Sequence, residues 1–278
     1  MDPALPPGLY IVATPIGNLG DVSARAKAVL AAADVIAVED SRVTAKLLNH
    51  LGLKRQMIPY HDHNGDRVRP GLIARMGGQV VVLVSDAGTP LISDPGYKLV
   101  RDARAAGHMV TTIPGPCAAV AALTLAGLPT DRFFFLGFLP PKEKAKREAI
   151  EEVAGIKATL ILYESGPRLG ATLAALARGL GDREAAVARE ISKTFEETVT
   201  GTLSALAARY AESGPKGEIV IIVGPPGPAE AASEGDVDAA LRAAMLTLSP
   251  AKAAGEVARA TGADRKLLYK QALALQSR

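Results

Sequence analysis

The sequence predicts an α/β protein with a parallel N-terminal sheet, a mixed second sheet and a small C-terminal helical domain. Strand-like apolar runs alternate with helical patterns at intervals of roughly 20–25 residues, which is typical of helix-covered parallel sheets. The run Val80–Val84 is apolar and mostly β-branched, as expected of a strand buried on both faces. Further along, Thr198–Gly201 is expected to pair in antiparallel fashion, which makes the second sheet mixed.

Five strands and five helices are predicted in the first part of the chain. The strands are Leu9–Ala13, Asp34–Val38, Met57–Tyr60, Val80–Val84 and Met109–Ile113. The helices run from Ser23 to Ala33 and over Thr44–Leu51, Asp66–Met76, Tyr97–Ala106 and Cys117–Ala126. Ser23 is suited to N-cap the first helix, and Gly52 and Gly107 are expected to end the second and fourth. Residues 1–120 are therefore predicted to form one α/β domain.

The second part repeats the alternation before it becomes purely helical. The predicted strands are Phe133–Leu136, Thr159–Tyr163, Ala185–Arg189, Thr198–Gly201 and Glu218–Val223, and the helices are Lys142–Val153, Leu169–Leu180 and Leu203–Tyr210. Residues 121–228 are assigned to this domain, and Gly224–Gly235 is interpreted as a linker. Three helices follow in residues 236–278, over Asp236–Leu248, Pro250–Ala260 and Asp264–Leu275. Ser249 is a candidate N-cap, and Gly262 makes a short turn that gives a helix-turn-helix outline.

Composition and charge limit the classes of protein. Apolar residues make up 48% of the 278, and a single cysteine, Cys117, excludes a disulfide framework within the chain and fits a reducing cytosol. The first eight residues do not resemble a signal peptide, and no apolar run is long enough to span a bilayer, so a cytoplasmic location is expected. The segment from Ala251 to Arg278 carries +4 and the rest of the chain −1. Such a basic appendage indicates a polyanionic partner, although a solvated helix face has the same pattern.

Polar clusters follow the carboxyl ends of all five N-terminal strands. They are T-P-I-G-N, E-D-S-R, H-D-H-N, D-A-G-T-P and P-G-P-C-A. Parallel strands present these ends along one edge, where ligands bind in open α/β sheets. Any one cluster could be ordinary turn chemistry, but five together predict a binding site.

Common signatures of other ligand sites are missing. The chain has neither the G-x-x-x-x-G-K-[ST] phosphate loop nor a G-x-G-x-x-G after a strand, which disfavours nucleoside triphosphatases and dinucleotide oxidoreductases. We expect no metal site, because His61, Asp62 and His63 are not joined by a further clear ligand. These residues are better suited to polar contact with a ligand.

A series of motifs covers nearly the whole chain: L-Y-I-V-A-T-P-I-G-N-L-G-D-V-S (9–23), A-V-E-D-S-R (37–42), H-D-H-N (61–64), L-V-S-D-A-G-T-P-L-I-S-D-P-G-Y (83–97), P-G-P-C-A-A (114–119), G-L-P-T-D-R-F (127–133), G-F-L-P (137–140), Y-E-S (163–165) and A-R-E-I-S-K (188–193). Together and in this order, these motifs resemble those of the ribosomal RNA 2′-O-ribose methyltransferases of the tetrapyrrole methylase family. The C-terminal helices resemble the helix-turn-helix extension of the same enzymes.

The resemblance implies a cofactor, a reaction and partners. It implies transfer of a methyl group from S-adenosylmethionine (AdoMet), bound between two α/β domains of a homodimer, to the ribose 2′-hydroxyl of a cytidine. That cytidine lies in 16S ribosomal RNA at the decoding centre of the 30S subunit. The AdoMet contacts that it implies are Pro15, Asp86, Ala87, Gly88, Leu91, Ile92, Cys117, Ala118 and Tyr163.

A ribose hydroxyl is a weak nucleophile, so a base that removes its proton is expected. Asp40 and His61 are the preferred candidates, because both follow strands at the shared edge. The remaining polar residues predicted to contact substrate are Glu39, Arg42, His63, Asn64, Glu190 and Lys193, and those predicted to contact RNA phosphates are Lys252, Arg265, Lys266 and Lys270. For each acid the alternative is a salt bridge or a helix cap.

Two other functions remain open. One is an AdoMet methylase that acts on a small tetrapyrrole, which the basic tail and the wording of the loops disfavour. The other is a non-catalytic RNA-binding assembly factor that retains the fold, which would differ from an enzyme in failing to bind AdoMet.

Overall fold

The structure is a computed structural model that describes residues 5–212, 214–227 and 234–276. The chain divides into two compact units, residues 1–224 and 225–278. The first unit contains two five-stranded sheets, one parallel and one mixed, and the second is helical. The predicted fold class is therefore confirmed. Within the described parts of the chain, no helix has both the length and the apolar content needed to cross a membrane.

The first sheet is entirely parallel and has the strand order β3-β2-β4-β1-β5. Its strands are β1 (Gly8–Val12), β2 (Val35–Val38), β3 (Met57–Pro59), β4 (Val80–Leu83) and β5 (Val110–Ile113). The helices that follow them are α1 (Ala24–Ala32), α2 (Ser41–His50), α3 (Gly65–Arg75), α4 (Tyr97–Ala105) and α5 (Ala118–Leu125).

Helices cover both faces of this sheet, which explains the uninterrupted apolar strands. Ile36 and Val38 of β2 belong to a core that includes residues of α1 and α2, whereas the alternate residues Val35 and Ala37 belong to a core that includes residues of α3 and α4. Since side chains alternate across a strand, every residue of β2 and β4 is buried. The prediction that Val80–Val84 contains a strand buried on both faces is therefore confirmed for Val80–Leu83.

The second sheet has the order β6-β7-β10-β8-β9, with one parallel pair, β6 with β7. Its strands are β6 (Phe133–Phe138), β7 (Thr159–Ser165), β8 (Glu184–Arg189), β9 (Glu197–Thr202) and β10 (Glu218–Val223). One face packs in a core with α6 (Glu143–Val153), α7 (Leu169–Leu180) and α8 (Leu203–Arg209). The other face is covered by α5, whose Ala119, Ala122 and Leu123 pack with Ile161 and Ile222. Thus α5 follows the first sheet in the chain but packs on the second.

The helical unit contains α9 (Glu234–Met245), α10 (Pro250–Thr261) and α11 (Arg265–Gln276). Leu241 of α9, Val257 of α10 and Leu268 of α11 form the centre of its small core. Gly262 ends α10 in the left-handed conformation (φ 73°), which makes the sharp turn to α11 that the sequence predicts. Ser249 is the N-cap residue of α10 and Pro250 follows it, as predicted, although the Ser249 side chain makes no capping hydrogen bond.

Four predicted elements have a boundary that is wrong by more than one residue. Strand β7 continues to Ser165 rather than Tyr163, and α9 spans Glu234–Met245 rather than Asp236–Leu248. The other two, α2 and β6, differ for local reasons. Helix α2 begins at Ser41 rather than Thr44, because the Asp40 side chain accepts the backbone N–H of Arg42 and caps the helix. Strand β6 continues to Phe138 rather than Leu136, because a bulge between Phe135 and Gly137 re-aligns it with β7.

Candidate functional site

The loops after β1 and β4 are joined at the carboxyl edge of the first sheet. The Thr14 N–H donates to the Gly88 carbonyl at 2.9 Å, and the Gly88 N–H donates back to the Thr14 carbonyl at 3.0 Å. Gly88 has a φ of +77°, which suits glycine. The loop after β5 joins them, because the Thr89 hydroxyl donates to the Pro116 carbonyl at 2.9 Å. Three of the five predicted polar clusters are bonded together in this way, and a fourth, E-D-S-R, joins them because the Asp40 N–H donates to Asp86.

These loops and the second sheet enclose a cavity of about 270 Å³, which we call the main cavity. The loops of the first sheet contribute Ile16, Glu39, Asp86–Thr89, Ile92–Asp94, Cys117 and Ala118, and the second sheet and its loops contribute Phe138, Tyr163, Glu164, Ile191 and Glu218–Val220. Four of the five predicted clusters thus meet here. The fifth, H-D-H-N, lines a smaller cavity of about 170 Å³ beside it.

The segment that follows Gly88 has an unusual backbone. Leu91 (φ 74°) and Ser93 (φ 65°) are in the left-handed region, which costs a non-glycine residue roughly 1–2 kcal/mol. Gly96 has a φ of +140°, and a Cβ there would lie 2.9 Å from Cδ2 of Leu83. A Cβ at Gly137 would lie 3.0 Å from the Ser93 hydroxyl oxygen. The segment is therefore held tightly between β4 and β6.

Three carboxyl groups lie together on the first-sheet side of the main cavity. Burial raises the pKa of Glu39, and the negative charges of Asp94 and Asp86 raise it further. Burial also raises the pKa of Asp94, with a bond from the Ser85 hydroxyl opposing the rise and the charge of Asp86 adding to it. Asp86 accepts the Asp40 backbone N–H at 2.9 Å. This crowding of negative charge favours a ligand that carries positive charge.

Tyr163 forms part of the second-sheet wall. Its ring makes edge-to-face contacts with Phe135 at 5.0 Å and Phe138 at 5.6 Å between centroids. Its hydroxyl oxygen accepts the Ala119 backbone N–H at 3.2 Å, at the start of α5. Burial, and to a smaller degree the nearby Cys117 thiol, raise the pKa of Tyr163 to about 12. The residue therefore stays neutral and gives the cavity an aromatic wall.

A network of charged residues lies at the second-sheet end of the main cavity. Lys193 Nζ lies 2.9 Å from Glu190 Oε1 and 3.0 Å from Glu218 Oε2. The hydrogen bond from Lys193 lowers the pKa of Glu190. A Cβ at Gly17 would lie 2.4 Å from Lys193 Cγ and 3.0 Å from the Ile191 carbonyl oxygen. The loop after β1 therefore approaches this end of the site so closely that only glycine fits at position 17.

Most residues predicted to contact the cofactor line the main cavity. These are Asp86, Ala87, Gly88, Ile92, Cys117, Ala118 and Tyr163. Pro15 and Leu91 are not among the lining residues, although each precedes one that is. The roles of all nine residues as cofactor contacts remain predictions.

The residues predicted for catalysis and substrate binding are divided among several places. Glu39 lines the main cavity, and His61 lines the smaller one. Asp40 caps α2 and binds Arg42 Nε at 3.0 Å, and these bonds to Arg42 lower the pKa of Asp40 to about 2. His63 is exposed, with its ring centroid 5.9 Å from that of His61. Asn64 accepts the His61 N–H and donates to the Pro59 carbonyl, both at 2.9 Å, so it shapes the loop.

Sequence reasoning did not select several residues of the main-cavity wall. Asp94 lies in the second turn of the D-A-G-T-P-L-I-S-D-P-G stretch, and Phe138 in G-F-L-P, so both had a motif that could have indicated them. Glu218 begins an antiparallel strand, where the strand-end rule for parallel sheets gives no signal. Glu164 lies in the Y-E-S motif and is buried within β7, so it too had a motif that could have indicated it.

Comparison with known proteins gives two family matches. Residues 8–207 match the model for Tetrapyrrole (Corrin/Porphyrin) Methylases, and residues 231–276 match the RsmI C-terminal HTH domain. The first match includes every residue that lines the main cavity from Ile16 to Ile191.

Individual relatives and a solved structure agree with these matches. A ribosomal RNA small subunit methyltransferase I from Erythrobacter litoralis is 55% identical over 273 residues, covering 98% of this chain and 97% of the relative. One from Mesorhizobium japonicum is 50% identical over 275 residues, covering 98% and 93%. Uroporphyrin-III C-methyltransferase from Thermus thermophilus, complexed with S-adenosylhomocysteine, has a similar fold with a TM-score of 0.54, 22% identity and coverage of 78% and 97%.

Proposed function

Because this chain belongs to the tetrapyrrole (corrin/porphyrin) methylase family, we propose that it transfers a methyl group from AdoMet to the ribose 2′-hydroxyl of a cytidine in 16S ribosomal RNA. The observation that carries the ribosomal RNA part is the 50–55% identity to ribosomal RNA small subunit methyltransferases I over almost the full length of both chains. The choice of a cytidine and of its 2′-oxygen rests on the motif resemblance.

The main cavity has the chemistry that AdoMet requires. AdoMet is the cofactor of the family and, when bound, supplies a methyl group on a positively charged sulfur. The carboxyl groups of Glu39, Asp86 and Asp94 complement a cation, and Tyr163 and Phe138 provide apolar aromatic surface. The volume of about 270 Å³ is close to the lower end of small-molecule sites, roughly 300–1,000 Å³. AdoMet has no phosphate, which agrees with the lack of a phosphate-binding glycine loop.

The protein's own residues then have two tasks, alignment and proton removal. The bonded loops after β1, β4 and β5 fix the cavity wall, so they hold the reacting groups in line. Of the two predicted bases, His61 lies in the smaller cavity beside the cofactor site. Asp40 carries a pKa of about 2 and is a weak base while it binds Arg42. His61 is therefore the better placed of the two for the acceptor.

The helical unit supports contact with RNA phosphates. Arg265 and Lys266 occupy the first turn of α11, where the helix dipole disfavours cations. The acid beside them, Asp264, accepts the Lys266 backbone N–H at 2.7 Å and forms no ion pair with either side chain. Lys252 and Lys270 are also exposed, and no ion pair joins any of these four side chains to another described residue. A polyanion would compensate this unfavourable arrangement of charge.

The primary test is the position of methylation. The purified protein, AdoMet and 30S subunits that lack the modification should give 2′-O-methylation at one cytidine of 16S ribosomal RNA, detected by mass spectrometry of nuclease fragments. Parallel incubation with a precorrin tests the small-molecule alternative. AdoMet titration by calorimetry tests the non-catalytic alternative, which requires no binding. Methylation of the precorrin alone, or the absence of AdoMet binding, contradicts the proposal.

The contribution of the helical unit is tested by charge removal. The variant carries glutamine at Lys252, Arg265, Lys266 and Lys270. We expect it to bind 30S subunits more weakly than the wild type and its affinity to depend less steeply on the salt concentration. Loss of four phosphate contacts lowers the slope of log K against log salt by about 3. The matched control carries glutamine at four exposed lysines elsewhere, namely Lys27, Lys54, Lys157 and Lys216. Equal effects of the two variants contradict a specific docking role.

The assembly and location are also part of the proposal. We place the enzyme in the cytoplasm, where ribosomal subunits are found, as a homodimer. Sedimentation equilibrium should give twice the mass of the 28.8 kDa chain. A monomer at micromolar concentration contradicts the dimer but leaves the methyl-transfer proposal intact.

A further inference from the structure

We propose that a cavity between α6 and α7, which we call the basic cavity, binds backbone phosphates of the ribosomal RNA substrate. This inference rests on the function proposed above and adds an RNA contact outside the helical unit. The basic cavity has a volume of about 390 Å³ and lies on the face of the second sheet opposite α5. The residues that line it are Glu143, Lys144, Lys146, Arg147, Ile150, Glu151, Ala175, Arg178 and Gly179.

Basic side chains outnumber acidic ones in this lining, four to two, and three of the basic ones are weakly paired or free. Lys144 Nζ lies 3.8 Å from Glu148 Oε1, with both side chains more than half exposed. Arg147 Nε lies 3.6 Å from Glu151 Oε1, again with both exposed. Pairs of this kind contribute little to stability. Arg178 is exposed and forms no hydrogen bond or salt bridge within the described part of the chain. All three cations are therefore available to an anion.

The fourth cation, Lys146, is buried in the wall of the basic cavity. Its side chain is 6% exposed, and its Nζ donates to Glu143 Oε1 at 2.8 Å. An ammonium group has three N–H donors, and Glu143, itself 78% exposed, is the one acceptor that the described residues provide. A buried charge is costly unless it is both paired and fully hydrogen-bonded. A phosphate oxygen would supply a further acceptor and a second negative charge.

The start of α6 adds to the positive potential. Lys142 is the N-cap residue and Lys144 lies in the first turn, where the helix dipole disfavours cations and attracts anions. The acid of this turn, Glu143, is already bonded to Lys146. That bond lowers the pKa of Glu143, and the more distant charge of Arg178 lowers it further. The basic cavity thus favours negative charge beyond what its own acids supply.

The two helices leave a recess rather than a flat basic face. Ala175 and Gly179 of α7 form one side of the basic cavity with almost no side chain. At Gly179 the helices touch, because a Cβ there would lie 2.5 Å from Cγ2 of Ile150. The long basic side chains of α6 therefore stand beside a space that the short residues of α7 leave open. A compact anionic group such as a phosphate fits this space.

The position of the basic cavity in the fold favours RNA over a free anion. Phe138 lines the main cavity and Glu143 lines the basic cavity, and five residues of chain place them at most about 18 Å apart. Pro140 and Pro141 stiffen this connection. An RNA strand with one nucleotide at the main cavity therefore has neighbouring phosphates within reach of α6. A free anion would gain nothing from such proximity.

Removal of the three exposed charges tests the proposal. The variant carries Lys144→Gln, Arg147→Gln and Arg178→Gln. We expect its 30S affinity to fall at least about tenfold at 0.1 M salt, and the slope of log K against log salt to fall by about 2, since each phosphate contact contributes about 0.7. The matched control carries Arg25→Gln, Lys27→Gln and Arg104→Gln, at three exposed positions outside the described cavities. AdoMet affinity, measured by calorimetry, should equal that of the wild type in both variants and reports that they are folded.

A neutral substitution tests whether a phosphate enters the recess. Ala175→Leu fills the space without changing any charge, and we expect the slope of log K against log salt to fall by about 0.7, as for the loss of one phosphate contact. Ala171→Leu, at an exposed position of the same helix outside the basic cavity, is the control and should match the wild type. Equal 30S binding by the two leucine variants would overturn the assignment of the recess.

The outcomes separate this inference from the function on which it rests. If the wild type neither binds nor methylates 30S subunits, the proposed function fails. If the wild type is active and the charge variant binds 30S subunits as tightly as its control, the basic cavity is not an RNA site while the function stands. Titration with inorganic phosphate then identifies a free-anion site, which equally contradicts the inference.

Discussion

The buried carboxylate of Glu164 allows a sharp test of what stabilises the second-sheet wall of the main cavity. Its side chain is 1% exposed. Oε2 accepts the Thr172 hydroxyl of α7 at 2.6 Å, and Oε1 accepts the Ser165 backbone N–H at 2.8 Å with Arg168 Nε 3.4 Å away. Thr172 is itself buried. Thr172→Val therefore removes one donor from a buried acid with almost no change in side-chain volume.

The expected loss follows from that geometry. A hydrogen bond to a charged group contributes about 1.5–3 kcal/mol, and one carboxylate oxygen in the variant has no replacement donor among the described residues. Because valine fills the same space, the cavity contribution is small, and we expect a loss of about 2 kcal/mol. Thr172→Ser is the matched control, since it keeps the hydroxyl and deletes one methyl group, which costs about 0.8 kcal/mol.

Urea unfolding followed by circular dichroism measures both variants. We expect the transition that reports residues 1–224 to shift to lower urea in the order wild type, serine variant, valine variant, with an unchanged slope. A valine variant as stable as the serine variant would refute the reasoning, because the hydroxyl–carboxylate bond would then contribute nothing. A changed slope would mean that the substitution altered the unfolded or native ensemble instead.

Three further predictions concern pH and backbone conformation. Asp40→Asn keeps the helix cap but loses the charge that binds Arg42. Because folding lowers the pKa of Asp40 from 3.8 to about 2, the Asp40 charge contributes to the unfolding free energy above pH 3.8, and this contribution should vanish as the pH falls towards 2. Denaturation of the wild type and the variant at each pH measures it. The pKa of Tyr163 is raised to about 12, so stability should fall between pH 10 and 12, and Tyr163→Phe should flatten that fall; an unchanged slope would contradict it. In the helical unit, Gly262→Ala should lower the stability by about 1 kcal/mol, because Gly262 has a φ of +73°. Gly255→Ala within α10 should raise the stability by a similar amount, since the added Cβ would make only an ordinary contact at 3.6 Å. Shifts of the melting temperature in the same direction for both variants would refute this contrast.

The strands and loops of the first sheet could be predicted because residues that are adjacent in the sequence determine both. Val80–Val84 is buried on both faces and therefore has no polar residue, and its loop begins where the strand ends. The same rule correctly brought Glu39, Asp86 and Cys117 to one cavity, since parallel strands end at one edge.

The rest of the site depends on contacts between residues far apart in the chain. Glu218 reaches the main cavity from an antiparallel strand, and no pattern near it indicates the face that it presents. The H-D-H-N loop follows a strand at the sheet's edge, so it lines a neighbouring cavity rather than the main one. From the sequence, Asp40 could be either a catalytic base or a helix cap. The structure shows that its side chain caps α2, because it accepts the Arg42 backbone N–H and binds the Arg42 guanidinium.

The position of α5 has a consequence for how the main cavity can open. This helix is connected to β5 of the first sheet by Pro114–Cys117, yet its apolar residues pack with β7, β8 and β10. Helix α5 should therefore move with the second sheet if the two sheets separate, and the change of backbone dihedrals would fall in this connection. The connection contains two prolines and Gly115, and a Cβ added at Gly115 would lie 3.0 Å from the Ala13 side chain. A stiff connection of this kind resists gradual widening, and the bond from the Thr89 hydroxyl to the Pro116 carbonyl ties it to the loop after β4, so separation of the sheets should require this bond to break.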